Sequence, residues 1–152
     1  MPARDKIYIS KSPEVQELYS KFTEDKDDTL SKPFRFDRDV FLAAAVAGHM
    51  HRKAEPLLPA ERKEKFNWGT LLNDQHALPV LQAIALLKTG DPNVLLDDEQ
   101  VASIAEAYAN AGIHLLAKRL VDTGVDELQE AAIYMAEILD SIVETSARAP
   151  LP

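Results

Sequence analysis

The 152-residue chain contains no cysteine. That excludes a disulfide framework, thiolate zinc sites, iron–sulfur clusters and a cysteine nucleophile. Glycine is scarce, with 5 residues, which leaves little room for a glycine-rich phosphate loop. Neither the Walker A nor the Gly-x-Gly-x-x-Gly pattern occurs. The Gly-x-Ser-x-Gly elbow of serine hydrolases is also missing. No apolar run approaches the ~18 to 20 residues that span a bilayer. Met1 to Lys11 has no apolar signal core, so a cytoplasmic protein is expected.

What is present is a 46% hydrophobic chain of about one domain's length. Its net charge of −8 is unevenly spread: residues 1–90 carry 14 Lys/Arg against 13 Asp/Glu, and residues 91–152 carry 3 against 12. An acidic C-terminal part repels phosphate, so any nucleic-acid contact belongs to the first part.

The pattern predicts a mainly α fold, a single-domain helical bundle (1–152) of five to six helices with a short N-terminal strand. Ile7-Tyr8-Ile9 is β-prone and needs a partner strand, in this chain or in a second copy that would make a homodimer. Ser12-Pro13-Glu14 is a helix start, with Val15, Leu18, Tyr19 and Phe22 on one face. Residues 23–32 read as a flexible acidic loop. Asp37 is expected to cap a helix from about Arg38 to His51, with a Phe36–Phe41 hydrophobic staple. Ala60 to Lys65 reads as a short helix. Leu78 to Leu87, apolar except for Gln82, is expected to be the central helix. It should end at Gly90 with a left-handed cap, before Pro92. Asp97 or Asp98 caps a helix running through Gly112, whose place on the apolar stripe predicts tight helix–helix contact. The last helix, about Asp126 to Ser146, is amphipathic. Residues 147–152 should fray.

Catalytic and metal patterns find little support. His49 and His51 are two apart and point to opposite sides of a helix, so they cannot share a metal there. They are expected to be polar residues at a helix end, where partial positive charge suits the dipole. Asp74-Gln75-His76 precedes a helix and reads as capping, and His114 reads as exposed. No cofactor is implied, and a non-enzyme is expected.

Two surfaces remain. Arg35, Arg38, Arg52, Lys53, Arg62, Lys63, Lys65 and Trp68 combine cations with an aromatic, the composition that holds phosphates and stacks bases. A strand followed by two helices also resembles the ribbon–helix–helix DNA binders. Leu128, Met135, Leu139 and Ile142, on the last amphipathic helix, form a candidate protein interface.

Three stretches carry a broader resemblance. One is Phe34-Arg35-Phe36-Asp37-Arg38-Asp39-Val40-Phe41-Leu42-Ala43-Ala44, continuing through Ala47-Gly48 to Arg52 and Pro56-Leu57. The second is Ala83-Ile84-Ala85-Leu86 with Thr89-Gly90-Asp91 and Val94-Leu95. The third is Glu106-Ala107-Tyr108-Ala109-Asn110-Ala111-Gly112-Ile113. Together, over roughly residues 6 to 140, they resemble the dnd system-associated protein 4 family. The resemblance implies a bacterial accessory protein of DNA phosphorothioation and phage defence, with no catalytic residues to carry over. The expected role is a non-enzymatic adaptor bound to a protein of such a system. The alternative is a DNA-binding factor that uses residues 1–70.

Overall fold

The computed structural model describes residues 6–23, 34, 36–62, 64–72 and 75–122, with positions 133, 136–138, 140 and 144 beyond them. The order is β1 (Tyr8–Lys11), α1 (Pro13–Phe22), α2 (Asp37–Met50), β2 (Glu64–Asn67), α3 (Gly69–Leu72), α4 (Ala77–Thr89) and α5 (Asp98–Asp122). Short 3-10 turns at Pro59–Glu61 and Pro92–Leu96 precede β2 and α5. The fold is mainly α, with one two-stranded antiparallel sheet.

Local chemistry explains several of these boundaries. The Ser12 hydroxyl accepts from the Val15 amide at 3.2 Å and Pro13 opens α1, as its sequence predicts. Gly90 ends α4 at φ 68°. The left-handed region suits glycine because it has no Cβ. Asp97, not Asp98, caps α5, its Oδ1 accepting from the Gln100 amide at 3.1 Å.

The start of α2 departs from expectation. Asp37 lies inside the helix, and Asp39 does the capping, accepting from the Phe36 amide at 3.1 Å. Phe36 is exposed beneath the Arg38 guanidinium at 4.6 Å, while Phe41 is buried edge-on against Phe66 at 5.3 Å. A ring from β2 offers Phe41 a better-buried contact than an exposed neighbour on its own helix.

Two larger corrections follow from packing. Of the short helix expected at 60–65, a 3-10 turn forms at Pro59–Glu61, while Glu64 and Lys65 belong to β2, the partner for β1. The register pairs Tyr8 with Asn67, Ile9 with Phe66, Ser10 with Lys65 and Lys11 with Glu64. The strand therefore finds its partner within the chain, and no ribbon shared between two copies is needed. Second, α4 is not the central helix. It buries Ala77, Leu81, Ile84 and Ala85 but leaves Leu87 exposed. The centre is α2, where Ala43 to Gly48 are all buried and whose main packing partner is α5. Small side chains on α2 let two backbones approach.

The approach is closest at two glycines. A Cβ on Gly112 would collide with the Ala44 carbonyl and lie 2.6 Å from the Gly48 amide nitrogen. One on Gly48 would strike the Tyr108 carbonyl. The expectation for Gly112 is met. Ile138 is buried in the same core. The expected helix from Asp126 to Ser146, the loop at 24–32 and the tail at 147–152 otherwise lie outside the described residues.

The C-terminus of α2 holds a testable feature. Arg52 sits at φ 54°, the sole non-glycine with positive φ among the described residues. Its neighbours close the helix, Lys53 N donating to Gly48 O at 2.9 Å and Arg52 N to His49 O at 3.1 Å. The left-handed conformation crowds an L side chain by roughly 1–2 kcal/mol. Arg52→Gly is therefore expected to stabilise the fold by about 0.5–1 kcal/mol after glycine's entropic cost. A thermal melt checks it, with about 2–4 °C expected per kcal/mol.

Candidate functional site

The site begins with strand parity. Trp68 N donates to Ile7 O at 2.9 Å, so Ile7 directs its backbone groups toward β2. Alternate residues point the other way. Tyr8 and Ser10 thus present their N–H and C=O on the outer edge of β1. That edge faces α5. The Glu106 carboxylate reaches across from α5 and accepts from the Ser10 amide at 2.8 Å, between residues 96 apart in sequence. Its other oxygen pairs with Arg62 Nη1 at 2.9 Å, and the same nitrogen donates to Ser10 Oγ at 3.3 Å.

Glu106 is buried, while Arg62 is 38% exposed. Burial pushes the Glu106 carboxyl above the usual carboxylate range. The Ser10 amide and the Arg62 guanidinium oppose that shift. A charge removed from water is costly unless such partners hold it.

Lys11 makes a second buried contact. Its ammonium donates to Asp37 Oδ2 at 2.9 Å and lies 4.4 Å from the centre of the Tyr19 ring. It joins β1 to the start of α2. Tyr19 is buried, and that burial, with Asp37 and Glu106 nearby, pushes its hydroxyl far above the usual phenol range.

Beside Glu106 and Arg62 lies a half-open cleft of about 310 Å³. Tyr8 of β1, with Lys6 and Ile7 just before it, forms one wall, and Glu99, Ala102, Ser103 and Glu106 form its helix wall. The helix-wall residues recur at steps of 3, 1 and 3, which places them on one face. Ala102 and Ser103 are small, and their size makes the hollow.

The described residues among those expected to contact nucleic acid have different surroundings. Arg52, Lys53 and Lys65 are exposed, at the end of α2 and on β2. Arg38 is half-buried over Phe36. Arg62 is engaged by Glu106. Trp68 is fully buried in the core, so its ring offers no face for base stacking, a correction to its expected role. Arg35 and Lys63 lie outside the described residues, as do Leu128, Met135, Leu139 and Ile142.

His49 also differs from expectation. It is half-buried and edge-on to Tyr108 at 5.4 Å. Burial, and then the Arg52 charge, lower its pKa. That shift disfavours the cation that would suit the helix dipole. Asn110 is buried although it lies off the Tyr108–Gly112 face, since α5 is covered on most sides. Among the described residues, no three His, Asp or Glu side chains form a metal-binding group. No helix among them is long and apolar enough to cross a membrane.

The two elements that flank this cleft, β1 and α5, lie within one stretch of chain that a family model covers. The model for DNA sulphur modification system-associated protein 4 matches residues 8–147. The chain belongs to that family. Its description ties the family to a DNA sulphur modification system. For this member the expected resemblance is thereby met. No curated protein and no solved structure matches the chain. Within the family match fall the Gly48–Gly112 helix contact and the Ser10–Glu106–Arg62 cluster.

Of that cluster, sequence reasoning singled out Arg62 alone, and for a different role. Ser10, Lys11, Asp37 and Glu106 were missed as a group. The one available signal was the polar and small stripe Glu99, Ala102, Ser103 and Glu106, running beside the apolar stripe of α5.

Proposed function

We propose that this protein is a non-enzymatic accessory factor of a DNA sulphur modification system, acting through protein–protein contacts. The observation that carries the reading is the fate of its cations and aromatics. Arg62 is neutralised by Glu106 and Trp68 is buried. The surface keeps apolar side chains instead: Leu58, Leu87 and Leu96 are each more than half exposed. A net charge of −8 adds a field that repels DNA. An adaptor needs no catalytic constellation, and neither motifs nor geometry call for one.

The test mixes the purified chain with each protein of such a system, and separately with duplex DNA. The expected result is a complex with one protein that persists between ~50 and ~200 mM salt. The DNA-binding alternative rests on the exposed Arg52, Lys53 and Lys65. It predicts instead a DNA complex that weakens steeply over that salt range and is lost in Arg52→Glu/Lys53→Glu. Observing that complex, with no protein complex, would overturn the adaptor reading.

A further inference from the structure

We propose that the cleft between β1 and α5 receives an extended segment of a partner protein, which adds as a short third strand to the outer edge of β1. This deepens the adaptor reading and rests on it. The first support is the direction of the edge. Ser10 already donates its outward amide to Glu106 Oε2 at 2.8 Å, where a neighbouring strand's carbonyl would otherwise accept. That bond shows the direction of the edge, and with the Ser10 amide taken by Glu106 the part of the edge that borders the cleft is Tyr8. Tyr8, two residues earlier, presents its N–H and C=O on the same side and lines the cleft.

The second support is space. At about 310 Å³ the cleft is at the lower end of ligand-pocket volumes, ~300–1,000 Å³. The small side chains of Ala102 and Ser103 leave that space between helix and strand, a shape into which an extended backbone fits.

The third support is charge. Lys6 and Arg62 are matched by Glu99 and Glu106 around the same cleft. A balanced lining selects neither a polyanion nor a polycation, which disfavours nucleic acid. It suits a peptide, whose backbone dipoles pair with the strand edge whatever the net charge. Glu106 and Arg62 close one end, so the added strand is short and centred on Tyr8.

Three substitutions separate backbone recognition from general disruption. Tyr8→Pro deletes the outward amide without removing a β1–β2 bond, because proline is tolerated at a sheet edge. Tyr8→Ala keeps that amide. Ser103→Trp fills the cleft from an exposed position. Each is bound to the purified proteins of a DNA sulphur modification system, with a circular-dichroism spectrum to confirm folding. Amide exchange at Tyr8 is read by NMR in the free and bound wild type.

With the partner that wild type binds, Kd should rise about tenfold or more for Tyr8→Pro and Ser103→Trp, and stay within about threefold for Tyr8→Ala. Exchange at Tyr8 should slow about tenfold in the complex. Unchanged Tyr8 exchange in a wild-type complex overturns the inference whatever the variants do, and leaves the adaptor reading standing. If Tyr8→Pro fails to fold, Ser103→Trp and the exchange measurement decide. If no system protein binds the wild type, the adaptor reading and this inference fall together.

Discussion

Gly112→Ala is expected to destabilise the protein by about 3 kcal/mol or more, even though alanine is the better helix former by about 1 kcal/mol. The added methyl has nowhere to go. It would overlap the Ala44 carbonyl, and the Gly48 amide is 2.6 Å away. Both obstacles are backbone atoms of a buried helix, so no rotamer change relieves them. Relief requires α2 and α5 to separate, which loosens the packing of Val40, Ala44, Ala47, Tyr108 and Ile113 together. Close-packed interiors have no slack for this. A urea titration of wild type and variant measures the loss as a fall in midpoint with the slope unchanged. A variant as stable as wild type would mean that the two helices are not packed so closely.

Arg62→Ala is expected to cost about 2 kcal/mol at pH 7. Breaking a buried pair typically costs 3–5 kcal/mol, and the smaller figure reflects the water that reaches Arg62. The loss should depend on pH. Glu106 is held above the usual carboxylate range in the folded state, mainly by burial. A carboxyl whose folded pKa is raised weakens the fold as pH rises from its unfolded to its folded value. Arg62 limits that penalty. Without it the folded pKa climbs further, so the deficit opens as pH rises above the carboxylate range and closes as pH falls into it. Glu106→Gln separates charge from hydrogen bonding. It keeps an acceptor for the Ser10 amide, removes the pH dependence and should cost less than Arg62→Ala. Urea midpoints measured from about pH 4 to about pH 8 check both variants. A pH-independent deficit in Arg62→Ala would mean the guanidinium supports the fold by packing, not by charge.

These two sites differ in how far the chain announced them. Gly112 could be read in advance. It sits on the 3–4 stripe of Val101, Ala105, Tyr108 and Leu116, where a glycine costs helix stability and so must gain something by packing. Ser12-Pro13, Gly90-Pro92 and Asp97 were legible for the same reason: each acts on its own helix within a few residues. β2 was not legible. Glu64-Lys65-Phe66-Asn67 lacks the β-branched residues of a strand. It is extended because β1 pairs with it and Phe41 packs on Phe66. Nor could the sequence rank its helices. The most apolar, α4, ends up half exposed, because burial at the centre was won by small side chains that admit a neighbour's backbone.

Composition and local pattern therefore settled the fold class, several helix ends, the lack of cysteine chemistry and the glycine contact. All of these depend on residues that interact along one element. Tertiary structure alone decided the partner of β1, the burial of Trp68 and the fate of Arg62. It also made the cleft, by bringing Ser10 to Glu106 across 96 residues and Arg62 to Ser10 across 52. Such contacts carry no sequence period, because nothing local constrains which distant carboxylate meets which amide. They exist once α2 and α5 have packed and set the strand edge against the helix.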